Sequence, residues 1–61
     1  MKVLVDSKEI ELIGKTVSDA LRQAGINPET VLVSIGGRLV SDMHEPQEGD
    51  DMRTMKVISG G

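Results

Sequence analysis

The sequence closes on Ser59-Gly60-Gly61, and a Gly-Gly carboxylate is a chemical handle. Glycine has no Cβ, so its backbone can thread a slot too narrow for other residues. A carboxylate flanked by no side chain is also free to attack the α-phosphate of ATP. An enzyme elsewhere would convert Gly61 to an acyl-adenylate, then pass the acyl group to a sulfur donor or an amine. Glycines also collect at frayed chain ends, so the rest of the chain has to decide between the two readings.

Few other residues offer chemistry. There is no cysteine, which removes disulfides and thiolate metal sites. His44 is the only histidine. It sits among Asp42 and Glu45 without a second nitrogen ligand, so it reads as a solvated loop residue and no metal site is expected. Gly36-Gly37 lacks the length and context of a phosphate-binding loop and reads as a turn. No Ser-His-Asp set is present, and no helix presents paired carboxylates inward. A chain of 61 residues leaves little room for an enclosed catalytic pocket. The chain is expected to be a substrate and carrier, not an enzyme.

Composition narrows the partners. A net charge of −3 and a pI near 4.9, with no Phe, Tyr or Trp, supply neither a basic stripe nor a stacking platform for nucleic acid. No apolar run approaches the roughly 20 residues of a membrane span. Met1-Lys2 leads into a strand-like segment, not a signal peptide. A cytoplasmic monomer that binds neither nucleic acid nor membrane is expected.

The elements that would position the handle follow from periodicity. Met1 to Val5 is apolar and β-rich, Asp6-Ser7-Lys8 is turn-like, and Glu9 to Leu12 alternates, placing Ile10 and Leu12 toward a core. Thr16 and Asp19 have capping-box spacing. Val17, Ala20, Leu21 and Ala24 form one helical stripe. Gly25 is placed for a left-handed cap, with Ile26 packing back on Leu21. Asn27-Pro28 stops the helix after about eight residues. Val31 to Ile35 predicts a strand with Val31, Val33 and Ile35 on one face, and Arg38 to Val40 its short return. Ser41 to Asp51, with Asp42, Glu45, Glu48, Asp50 and Asp51, reads as a hydrated surface loop. Met52 to Ile58 predicts the last strand. One helix among five strands gives an α+β sandwich of two layers.

This order of elements, with Val33 to Val40, Gly49 to Met52 and Val57 to Gly61 as the segments that carry it, resembles the ubiquitin-like β-grasp proteins. Within them it is most similar to the ThiS/MoaD group of sulfur carriers and the small archaeal modifier proteins. The resemblance implies a mixed sheet with one helix on one face, a β-grasp domain over residues 1–58 and a tail over 59–61. It implies that Gly61 is adenylated by a ubiquitin-activating-type adenylyltransferase using Mg-ATP, no cofactor being bound by the chain itself. The product would be a thiocarboxylate serving thiamine, molybdopterin or tRNA thiolation, or an isopeptide bond to lysine. Gly60, Ser59 and Ile58 would be the tail read by the partner's channel, mobile in the free protein. Lys56 to Ser59 has no aromatic-proline stretch of the kind that precedes the glycines in the molybdopterin branch.

One sheet face would lack a helix. Leu4, Leu32 or Ser34, Arg53 and Met55 are expected on it, with Arg38, Arg53 and Lys56 as a basic patch, so that Leu4, Leu32, Arg38, Arg53 and Met55 make a partner-docking face. Lys2, Lys8, Lys15 and Lys56 are candidate conjugation acceptors. The rival reading is a non-catalytic interaction module with an inert tail. Residues appended after Gly61 would disable a carrier and leave a module intact.

Overall fold

A computed structural model describes residues 1–57. Strand β1 (Lys2–Val5) and strand β2 (Lys8–Glu11) form an antiparallel hairpin. Asp6 and Ser7 turn the corner with φ of 51° and 73°. Two consecutive residues at positive φ match the right-handed twist of a tight hairpin.

Helix α1 (Val17–Gln23) is short and fully capped. The Thr16 hydroxyl accepts the Asp19 N–H at 3.2 Å, while the Asp19 carboxylate accepts the N–H groups of Lys15 and Thr16. At the other end the Ile26 N–H reaches the Leu21 carbonyl at 2.8 Å and the Gly25 N–H reaches the Arg22 carbonyl at 3.0 Å. These two bonds, with Gly25 at φ 80°, make the expected left-handed cap. A 3₁₀ turn, Pro28–Thr30, follows, with the Asn27 side chain accepting the Glu29 N–H. The sequence reading did not anticipate it.

Strands β3 (Val31–Ile35), β4 (Arg38–Val40) and β5 (Asp51–Lys56) complete a sheet in the order β2-β1-β5-β3-β4. The last strand lies in the middle, parallel to β1 and antiparallel to β3. It starts one residue earlier than expected and ends at Lys56; Ile58 and the tail lie outside the described residues. Val3, Val5, Leu12, Val33 and Met52 from the sheet side meet Val17, Ala20 and Leu21 of the helix in a wholly aliphatic core.

The acidic segment between β4 and β5 is more than a hydrated loop. His44 and Asp42 carbonyls accept the Val17 and Ser18 N–H groups at 2.8 and 2.9 Å, and Pro46 is buried. With Thr16 serving Asp19, the first three helical donors all have partners, as a buried helix start requires.

Candidate functional site

The strand that leads to the glycines is the central one of the sheet. β5 is flanked by β1 and β3, and Met52 is fully buried beneath α1. Where β1 ends, Asp6 continues the ladder. Its N–H donates to the Met52 carbonyl at 2.8 Å, and its carboxylate accepts the Thr54 N–H at 2.8 Å and the Thr54 hydroxyl. The Thr54 hydroxyl, then its N–H, holds the Asp6 carboxyl below its ordinary value, because both bonds favour the charged form. At its far end β5 is tied to the 3₁₀ turn by the Val57 N–H and the Thr30 carbonyl, 3.1 Å apart. Strand β5 is thus held on the β1 side as far as Thr54 and on the β3 side as far as Val57.

Side-chain parity follows from the strand register, because directly opposed residues share a face. Leu32 faces Met55, Ser34 faces Arg53 and Leu39, and Leu4 faces Asp51. These residues lie on the face away from α1, where Leu32 is 50% and Met55 46% exposed. The Arg53 guanidinium meets the Asp51 carboxylate there at 2.8 Å. Arg38 and Lys56 do not belong to this face. Arg38 is opposite Ile35 and Lys56 opposite Val31, both residues packed against the core. The expected basic patch is thus reduced to Arg53, and the five-residue docking set loses Arg38. Leu39, missed in the sequence reading, takes a place on it at 65% exposure.

Lys2, Lys8, Lys15 and Lys56 are all exposed. His44 lies in the exposed loop, and among the described residues no His, Asp and Glu cluster is arranged to hold a metal. Nor is any described helix long and apolar enough to cross a membrane. Gly61, Gly60, Ser59 and Ile58, the residues expected to carry the chemistry and its recognition, fall outside the described residues.

A five-stranded mixed sheet with one helix laid across one face is the β-grasp arrangement. It matches the crystal structure of the thiamine biosynthesis protein ThiS from Geobacter metallireducens with a TM-score of 0.70, over 100% of both chains at 22% identity. No family model matches the chain. It is 36% identical over 59 residues to the sulfur carrier protein TtuB of Thermus thermophilus, covering 95% of this chain and 91% of that one. It is also 38% identical over 53 residues to an uncharacterized protein of Archaeoglobus fulgidus, covering 87% of this chain and 78% of that one. The chain belongs to the ThiS/MoaD-type family of ubiquitin-like sulfur carriers.

Proposed function

We propose that this protein carries sulfur as a thiocarboxylate on Gly61, after adenylation by a partner enzyme. The observation that carries the reading is the likeness to the sulfur carrier protein TtuB over 95% of the chain. The chemistry proceeds in two displacements. A Gly61 carboxylate oxygen bonds to the α-phosphorus of ATP and pyrophosphate leaves. A sulfur nucleophile of the hydrosulfide class then adds to the acyl carbon, and AMP departs with the oxygen it had gained. The domain's part is steric. Ser59, Gly60 and Gly61, fully extended, span roughly 10 Å, so the glycines enter a recessed nucleotide site while the sheet stays outside it.

The same activated acyl group is open to a lysine amine, which gives an isopeptide in place of the thiocarboxylate. The exposure of Lys2, Lys8, Lys15 and Lys56 supports acceptors on the chain itself. Intact mass after incubation with Mg-ATP, sulfide and a cognate adenylyltransferase tests both. A gain of about 16 Da, oxygen exchanged for sulfur at an activated acyl carbon, is expected, and deletion of Gly61 should abolish it. Lysine adducts without that gain would favour the modifier reading. Neither product, with an enzyme active on another carrier, would leave the interaction module.

A further inference from the structure

The sheet has two edges, and they are protected unequally. Along β2 the Gln23 side-chain amide lies where a neighbouring strand would. Its Nε2 donates to the Glu11 carbonyl and its Oε1 accepts the Ile13 N–H, both at 2.7 Å. Lys8, Glu9 and Glu11 add charge to the same edge, a common defence against strand addition. β4 has no such cover among the described residues. The Gly36-Gly37 turn closes its hairpin on the pair Ile35–Arg38. In the alternation that follows, Arg38 and Val40 turn their main-chain groups toward β3, and Leu39 turns its N–H and C=O outward. No described group bonds to that pair. Beside it lies a hollow of about 340 Å³ lined by Ile35, Arg38, Leu39, Val40 and His44.

From this asymmetry we infer that the β4 edge docks an extended segment of a partner protein carrying an aliphatic side chain two residues before a carboxylate, so that both fall on the face of Val40 and Arg38. Each part of the occupant answers a feature of the edge. The outward N–H and C=O of Leu39 receive a strand, the mode in which main-chain bonds give affinity and side-chain hollows give selectivity. Ile35 and Val40, on the same face as Arg38, wall the hollow for the aliphatic group. Arg38, exposed and without an ion-pair partner among the described residues, faces the carboxylate. A second copy added antiparallel about Leu39 would set Arg38 against a valine and leave the guanidinium unmatched. The inference does not depend on Gly61 and stands or falls separately from the carrier chemistry.

Amide spectra of the ¹⁵N-labelled full chain, titrated with the acetylated hexapeptide Thr-Val-Thr-Asp-Thr-Ser, test it. The Leu39 and Ser41 amides should move, and exchange of the Leu39 N–H should slow. Arg38→Glu, or Lys for Asp in the peptide, should weaken binding by about tenfold. Leu39→Pro removes the outward donor without touching a ladder bond and should weaken it similarly. If that variant does not fold, Arg38→Glu carries the test. Shifts centred on Leu32, Arg53 and Met55 would overturn the inference. So would equal affinity for the lysine peptide, no binding at millimolar peptide, or Leu39 shifts that depend on protein concentration alone.

Discussion

Strand β1 stops at Val5, yet β5 still presents the Thr54 N–H to the space beyond it, and the Asp6 carboxylate fills that space. The exchange is local and measurable. Asp6→Ala should lower stability by about 0.5–1.5 kcal/mol, the usual net worth of such bonds, read from the urea midpoint at pH 7. Asp6→Asn keeps a residue tolerant of positive φ and separates loss of charge from loss of the turn. The sign with pH follows from the depressed carboxyl. A group held below its ordinary value in the folded protein stabilises it above the unfolded value of 3.8 and loses that contribution as pH falls through the folded value. Asp19, held low by the N–H groups of Lys15 and Thr16, acts in the same direction and the same acid range. An acid titration of stability should therefore steepen below pH 3.8, and Asp6→Asn should flatten part of it.

Helix α1 has seven residues, too few to persist alone in water. Its caps and its sheet-facing stripe sustain it. Thr16→Ala should cost about 1 kcal/mol, seen as a lower thermal midpoint by circular dichroism with the fold unchanged. Thr16, Asp19 and Gly25-Ile26 were legible in the sequence because a cap is written in side chains within a few positions of each other. The contribution of Asp42 and His44 was not, because a main-chain carbonyl leaves no residue signature. The same limit hid the Pro28–Thr30 turn, which is only three residues long. Arg38 was misplaced for a related reason. A strand of three residues offers too little alternation to fix its faces. The Gly36-Gly37 turn sets the register instead, and a shift of one position exchanges every side chain between faces. The longer strand β3 gave its inward set, Val31, Val33 and Ile35, without difficulty.

Across the whole molecule, a core without aromatic rings rests on Leu21, Met52, Val3 and Val17, each essentially excluded from solvent. Leu21→Ala should remove about 2–5 kcal/mol. For 61 residues that is a large share of total stability, so a substantial unfolded population at room temperature is expected in the amide spectrum. The β-grasp order was legible because the apolar periods of strand and helix are distinct. Gly60 and Gly61 lie outside the described residues, and the mass measurement is the test of their chemistry.

The parallel placement of β1 beside β5 also has a mechanical meaning. Tension between the first strand and the tail would slide these neighbours past one another instead of peeling them apart. The bonds from Leu4 to Asp50, from Asp6 to Met52 and from Thr54 to Asp6 would then bear the load together. A carrier held by its last residues in another protein's channel would pass any pull straight into this short clamp. Asp6 is its outermost rivet.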